Sequence, residues 1–391
     1  MSLDVITAVG RALQMAAAMG WLLVWPLILG FGISAVIQAV VSHREMARLL
    51  PDDRPGSLLK AALLGAASSS CSYAAVAIAR SMFRKGANFN AAMAFQFAST
   101  NLVLELGIVL WVMLGWRFTA ATWAGGIVMI VILSALLRLF LRESLVEDAG
   151  AQADKGLAGR MEGHAEMDMA VTDGPLLSRL FSARGFTAVC HYFVMDWASV
   201  WVDLALGLII AGALAAWVPN SVWSAIFFTD HPVLAKVIGP LLGPLVAVAS
   251  FVCSVGNVPL AAVLWNGGAS FGGVIAFIFA DLIILPILDI YRRYYGLKVA
   301  VLLFVLFYAA MALAGYAVEL AFGAAGLIPS TRAAHVADLG FSWNYTTWLN
   351  LGFLLLAAVL VWRFMRTGGP AMLRLMEHAA GPDDHHHDVT L

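Results

Sequence analysis

Ser68-Ser69-Ser70-Cys71-Ser72 sits in an apolar run that leads through Arg84-Lys85-Gly86-Ala87-Asn88-Phe89 into Ala94-Phe95-Gln96-Phe97-Ala98. Shifted by 182 residues, the pattern returns as Cys253-Ser254, then Gly268-Ala269-Ser270-Phe271, then Ala276-Phe277-Ile278-Phe279-Ala280. From Cys71 to Ala98 the two copies align without a gap, and 11 of 28 positions are identical. Identity at that level, with Cys, Gly and Phe all in register, marks an internal repeat. In an apolar chain such a repeat points to a transporter whose site lies between the halves.

Composition sets the class. The 391 residues are 62% hydrophobic and 12% charged, with a mean hydropathy of +0.87. Soluble domains carry about twice that share of charge. Several apolar runs are long enough to cross roughly 30 Å of hydrocarbon. Long helical runs without alternation argue against a barrel. A formal net charge of −1 leaves no basic footprint for nucleic acid. The N-terminus shows no basic cluster before a cleavable apolar core, so no signal peptide is expected. Cys71, Cys190 and Cys253 form no C-x-x-C pair, which disfavours a disulfide framework. Walker A, H-E-x-x-H and G-x-S-x-G motifs are absent, so neither an ATP-driven pump nor an enzyme is expected, and no cofactor.

In chain order, residues 3–18 read as an interfacial helix or an extension of the first span, which covers about Trp21–Val41. The cysteine segment follows at 57–82, then spans at 90–114 and 119–141. Residues 142–180 are polar, mixed in charge and Gly/Ala-rich, and read as a solvent loop. The second half places a span at 190–217, a cysteine segment at 234–265, and spans at 272–291 and 297–322. An unpaired span at 346–364 precedes a tail containing His385-His386-His387. The organisation expected is therefore a first membrane repeat (1–141), a cytoplasmic linker (142–184) and a second repeat (185–323). A loop with one extra span (324–364) and a cytoplasmic tail (365–391) complete it.

Charge decides the topology. If both cysteine segments cross the membrane, Lys and Arg divide 11 to 12 between the two sides, which the positive-inside rule does not produce. If each is a re-entrant hairpin, the division is 19 to 4. Each hairpin arm would then run 12 to 13 residues, about 18 Å, or half a bilayer. The expected fold is an all-α polytopic membrane protein with two inverted repeats. Each has three transmembrane helices plus one re-entrant helical hairpin, and one extra C-terminal helix follows.

Cys71 and Cys253 are the sharpest candidates for chemistry. A thiolate selects soft metals and metalloids, and two from opposed hairpins could close on one ion. A lone buried cysteine is more often inert packing, but these two are repeat-related and lie among polar neighbours. Ser70, Ser72, Ser254 and Asn257, with Ser68 and Ser69, could line the same cavity or hydrogen-bond between helices. Intramembrane acids are costly and usually functional; Asp281, Glu105, Asp196 and Asp203 are the candidates for proton coupling, against a structural pairing role. Asp289, near Arg292, reads as a surface ion pair. His191, after Cys190, reads as a helix-end residue before a metal ligand. The Met/His/Glu loop near residue 164 and the His-rich tail have metal-binding composition that suits a solvated linker and terminus equally well. A membrane-embedded dithiol redox enzyme is the alternative class.

At these residues the chain resembles the predicted-permease family that includes the ArsP-like organoarsenical efflux permeases. The likeness rests on Ser70-Cys71-Ser72, on Arg84-Lys85-Gly86-Ala87 and on Cys253-Ser254-Val255-Gly256-Asn257-Val258-Pro259-Leu260-Ala261-Ala262. Gly267-Gly268-Ala269-Ser270-Phe271 and Ala280-Asp281-Leu282 extend it, and it covers about residues 20–320. The resemblance implies an inner-membrane permease exporting a toxic solute, with trivalent arsenicals as cargo and copper or zinc for some members. Members often carry a second cysteine two residues from the first; here those positions are Ser69, Tyr73, Phe251 and Val255. That pattern suits a two-thiolate site for a methylated arsenical or monovalent soft metal better than a three-thiolate cage. The expected partners are the lipid bilayer, a small metal or metalloid solute and protons, with a homodimer left open.

Overall fold

The computed structural model describes residues 2–40, 48–68, 72–153, 169–171, 175–219, 222, 225–228, 231–250, 254–332, 334, 343 and 345–378. Among them there is helix and no strand. The first half comprises α1 (Ser2–Val40), α2 (Pro55–Ser68), α3 (Ser72–Arg84), α4 (Phe89–Asn101), α5 (Leu104–Leu114) and α6 (Trp116–Phe140). Two linker helices follow, α7 (Glu143–Ala153) and α8 (Leu176–Phe181). The second half comprises α9 (Ala183–Trp217), α10 (Pro232–Ser250), α11 (Asn257–Asn266), α12 (Phe271–Phe279), α13 (Leu285–Tyr295) and α14 (Leu297–Ala324). The chain then forms α15 (Tyr345–Arg366) and α16 (Gly369–His378). Six helical stretches are long and apolar enough to cross a membrane, or seven if the bent pair α12/α13 is one span.

Elements recur at the offset of the sequence repeat. α1 to α6 match α9 to α14 in order, and α4 packs on α2, α3 and α6 as α12 packs on α10, α11 and α14. Local signals recur with them. Asn88 caps α4 with its side chain, and Ser270, its repeat mate, caps α12. Gly86 and Gly268, also mates, take φ of 98° and 112° in the turns before those caps, a region that side chains with a Cβ rarely enter.

The arms of the two cysteine segments are short. α2 has 14 residues, α3 has 13 and α11 has 10, each reaching at most about 21 Å at 1.5 Å per residue. α10 is longer than expected at 19 residues, long enough on its own to cross. It contains Pro240 and Pro244, which remove two N–H groups and loosen the preceding carbonyls. One residue further along from each carbonyl that loses its donor, Lys236 and Pro240, the carbonyls of Val237 and Leu241 accept from the hydroxyls of Tyr316 and Tyr308 on α14 (2.9 Å for Tyr308). In hydrocarbon no water is available to donate instead.

Two expectations are revised. The two halves of the segment 90–114 are separate helices, broken at Leu102-Val103, and the segment 272–291 is broken after Phe279. Val103 and Ile284 are extended at the breaks (ψ 149° and 150°), and Pro286 sits in the first turn of α13, where its missing N–H costs no intrahelical bond. The linker is not a bare loop, since α7 packs against α3, α13 and α14. For residues 3–18, the second of the two readings holds: they extend the first span as one continuous helix, α1.

The halves also exchange aromatic contacts. Phe83 and Phe89 of the first half pack edge-to-face on Tyr295 of the second, and their mates Trp265 and Phe271 pack edge-to-face and tilted, respectively, on Phe118 of the first. An arginine closes each cluster, Arg80 lying 4.5 Å over Tyr294 and Arg332 lying 4.5 Å over Trp265. Burying such rings is the main apolar drive where two halves meet.

Helix approach is set by glycines. A Cβ on Gly65 of α2 would collide with the Phe95 carbonyl of α4, and one on Gly243 of α10 with the Gly273 carbonyl of α12. Gly65→Leu and Gly243→Leu are therefore expected to cost about 1–3 kcal/mol or more each. Gly352→Leu, which meets open space on α15, should leave stability within about 0.5 kcal/mol. Thermal unfolding of the purified chain in detergent checks this ordering; equal midpoints for all three would refute it.

Candidate functional site

The centre of the molecule is a buried polar cluster where short helices end. Ser72 opens α3 and Asp281 lies in a 3-10 turn, Ala280–Leu282, at the end of α12. Ser72 Oγ donates to Asp281 Oδ2 at 2.6 Å, and the backbone N–H of Ser254 points at Ser72 Oγ from 3.3 Å. Ser72 and Ser254 are repeat mates, so the two halves touch through equivalent residues. Thr100 and Asn101, at the end of α4, approach the same carboxyl group. Every one of these side chains is buried.

The cluster is under-satisfied. Among the described residues, Asp281 Oδ1, Asn101 Oδ1 and both amide atoms of Asn257 have no hydrogen-bond partner. Buried polar groups left in that state cost about 1–3 kcal/mol each. Single unpaired atoms also occur at packing positions such as Asn90 and Ser134; here Asp281 and Asn101 carry them side by side.

Of the sequence-derived candidates, Ser72, Ser254 and Asp281 are brought together, and Asn257 opens α11 three residues from Ser254. Cys71, Cys253 and Ser70 lie outside the described residues, as does Ser69. Glu105 is buried in the first turn of α5 against Gly30 of α1, where any Cβ would overlap its carboxylate. Asp196 on α9 is also buried and is held by Gln38 of α1. Asp203 is on α9 as well, with its side chain outside the described set. Asp289 bonds both Arg292 and Arg293 at the exposed end of α13, an ion pair as expected.

His191 is a packing residue at a helix corner. Its Nε2 is 2.7 Å from Thr367 Oγ1 and its Nδ1 is 3.0 Å from Met372 Sδ, tying α9 to the junction of α15 and α16. Among the described residues, no three His, Cys, Asp or Glu side chains converge as a metal site.

Sequence reading missed two features. Glu319 of α14 is buried and accepts the N–H of Gly272 at 2.6 Å, a carboxylate at the N-terminus of α12. An acid within the apolar run Tyr316-Ala317-Val318-Glu319-Leu320 was the available signal. Thr100 and Asn101 gain their meaning from the helix break beside them, which periodicity does not reveal.

Residues 8–320 match the profile of the ArsP family of predicted permeases. The chain belongs to that family. It is also 58% identical over 350 residues to Rv2963 of Mycobacterium tuberculosis, a match covering 89% of this chain and 86% of that protein. The name of that relative places it among the permeases and names no cargo. No solved structure matches the chain. A permease family accounts for the architecture, a multi-pass membrane protein with a transport role in place of an enzymatic one.

Asn257 offers a clean separation of stability from function. Replacing a buried, unpartnered amide by an apolar group of similar volume removes a desolvation cost, so Asn257→Leu should be neutral or stabilising by about 1 kcal/mol. Transport by the same variant should be lost. Ser72→Ala, which strips a donor from a buried carboxylate, should instead destabilise by about 1–3 kcal/mol, with Ser72→Thr near wild type. Unfolding midpoints and flux, measured side by side, test both; a destabilised but fully active Asn257→Leu contradicts the assignment.

Proposed function

We propose that this permease is a secondary transporter of the inner membrane that exports a soft metal or metalloid, such as a trivalent or methylated arsenical. Cys71 and Cys253 supply the thiolate ligands, and Ser70, Ser72, Ser254 and Asn257 line the polar part of the cavity. The observation that carries this reading is the contact of Ser72 with Ser254 beside Asp281. Each of these serines directly follows one of the two cysteines. A soft cargo held by two thiolates needs ligands from both halves at one point, and the halves meet at the neighbours of those ligands.

The topology we infer has inverted repeats, with α2/α3 and α10/α11 as re-entrant hairpins. Support comes from the 19-to-4 division of Lys and Arg and from three of the four arms, α2, α3 and α11, being too short to cross. The linker, α16 and the tail lie in the cytoplasm. Rocking one repeat against the other then exposes the midplane site to each side in turn.

Energy enters as protons. Asp281 touches the cavity through Ser72, and a carboxyl group that loads a proton on one side and releases it on the other couples that gradient to the cargo. Glu105, Asp196 and Asp203 are the further carriers in the same membrane interior. No nucleotide motif supplies another source.

Two experiments test the reading. In proteoliposomes, methylarsenite, arsenite, copper, zinc and cadmium are compared for binding and for flux with and without a pH gradient. Cys71→Ser and Cys253→Ser are each expected to weaken soft-cargo binding at least tenfold, about 1.4 kcal/mol. Serine variants that bind and protect like wild type would overturn the thiolate site, and electron transfer without flux would turn the assignment to a dithiol enzyme. For topology, a single cysteine at position 266 should react with an impermeant thiol reagent from the periplasmic side; labelling from the cytoplasm sinks the inverted arrangement.

A further inference from the structure

Two aromatic clusters lie on opposite sides of the central site. The first joins Phe83, at the end of α3, and Phe89, at the start of α4, to Tyr295 at the end of α13; their ring centroids are 6.3 Å and 5.2 Å from that of Tyr295. The second joins Trp265, near the end of α11, and Phe271, at the start of α12, to Phe118 at the start of α6, at 5.1 Å and 4.7 Å. Each cluster takes rings from both halves, and Phe89, Tyr295, Trp265, Phe271 and Phe118 are buried. Phe89 opens the span 89–114 and Phe118 lies just beyond its close; Phe271 opens the bent span 271–295 and Tyr295 closes it. The start of each span thus meets the far end of the other. The clusters cap this pair of spans at its two ends.

The polar centre lies between the caps. Asn101 and Asp281 sit at the breaks of the two spans, about 18 Å along the helix from Phe89 and about 15 Å from Phe271. Both are buried, as are Ser72, Ser254 and Asn257. Each cluster is also fastened to the stretch of chain that follows the last long helix of a half. After α6 comes α7, whose Ala153 carbonyl accepts from Arg80 Nε at 3.1 Å and Nη2 at 2.6 Å. After α14 comes Arg332, whose Nη1 donates to the carbonyls of Trp265 and Ala269, both at 2.8 Å, while its guanidinium covers the Trp265 ring. Asn266 then pairs with Ala334 in both directions: its Nδ2 donates to the Ala334 carbonyl at 3.1 Å, and its Oδ1 accepts the Ala334 N–H at 2.9 Å. Ala334 is the repeat mate of Gln152, the residue before Ala153. A charged donor shared by two carbonyls and laid over an indole is a strong fastening for one short turn.

We propose that the two clusters are the gates on either side of the central site, with Arg332 and Asn266 as positioning residues that hold Trp265 against Phe118. Both gates are shut here, so the structure is the occluded form. Rocking one half against the other parts the rings at one end while those at the other stay packed, and the centre opens to one face at a time. Rings suit this task because two aromatic edges separate without leaving a buried hydrogen bond unmade, whereas the bonds of Arg332 and Asn266 lie within the second half and travel with it. In the topology inferred above, the Tyr295 gate faces the cytoplasm and the Phe118 gate the periplasm. The use of the gates rests on the transport reading, and the face each one serves rests on that topology; the existence of two gates rests on neither.

The test needs no cargo. In the full-length chain the three native cysteines are changed to serine and Asn257→Cys puts one thiol at the centre. An impermeant maleimide is then applied to right-side-out and to inside-out membrane vesicles, and the labelling rate at residue 257 is followed. Trp265→Ala should raise that rate about tenfold from the periplasmic face alone, and Phe89→Ala about tenfold from the cytoplasmic face alone. Arg332→Gln, which leaves every ring in place, should raise it about fivefold on the Trp265 side, with Arg332→Lys closer to the parent. Loosened packing would raise labelling from both faces equally. That result overturns the proposal, as does no rise in any variant, or a rise from one and the same face for Trp265→Ala and Phe89→Ala. Rises from opposite faces but exchanged between the two variants uphold the gates and reverse the topology. If an alanine variant does not fold, Arg332→Gln with Phe118→Leu decides on one side and Phe89→Leu on the other. Wild-type proteoliposomes without flux of any cargo would refute the transport reading while leaving the one-sided labelling standing.

Discussion

One hydroxyl group holds the centre together. Ser72 Oγ gives its hydrogen to Asp281 and receives one from the Ser254 backbone. A hydroxyl is the smallest group able to donate and accept at once. In water that dual use would be worth little, because solvent would compete for both ends. In a hydrocarbon surround the alternative for each partner is no bond at all, so the exchange is close to obligatory. Around it stand the other ends that a membrane core forbids elsewhere: the last turns of α2, α4 and α12 and the first turns of α3, α5 and α11. Helix ends expose carbonyls and N–H groups, and gathering them in one place confines the unsatisfied backbone to a volume the protein encloses.

The repeat is faithful in the scaffold and unfaithful in the chemistry. Caps, turn glycines, helix order and aromatic corners recur between the halves. The ionisable residues do not. Asp281 has Ser99 as its mate, and Glu105 has Ile287. The two halves can thus pack on each other through equivalent faces while presenting different groups to the space between them. A pair of identical halves would present two acids at each position, and like charges brought together in low dielectric repel.

Much of this was readable from the chain. The 182-residue offset, the short arms α2, α3 and α11 and the buried acids follow from matching residues, from hydropathy and from counting Lys and Arg, while the length of α10 does not. The breaks at Leu102-Val103 and before Leu285 were not, because an apolar sequence reads the same whether its helix is continuous or unwound. Pro286 was a clue in the second half; in the first, only Asn101 hinted at it. The pairing of Gln38, itself bonded to Ser34, with Asp196 was also hidden. Spacing by four places a Ser and a Gln on one helix face, yet only the approach of α9 gives that face an acid to meet. Glu319 shows the converse, an acid whose partner is a backbone N–H that no side-chain pattern encodes.

The tyrosines that serve α10 carry a consequence for motion. Where a helix is stitched by its own backbone, bending it means breaking bonds that only the same bend can restore. Beside Pro240 and Pro244, which leave the carbonyls of Lys236 and Pro240 without helical donors, the carbonyls of Val237 and Leu241 are also held by the tips of Tyr316 and Tyr308, on long side chains rooted in another helix. A ring that swings by a few degrees can follow its carbonyl. α10 is thereby a joint with its own ligaments, able to flex against α14 at little cost, whereas α2, its proline-free counterpart beyond the first residue, behaves as a strut. Of the two cysteine arms, the hinge belongs to the second.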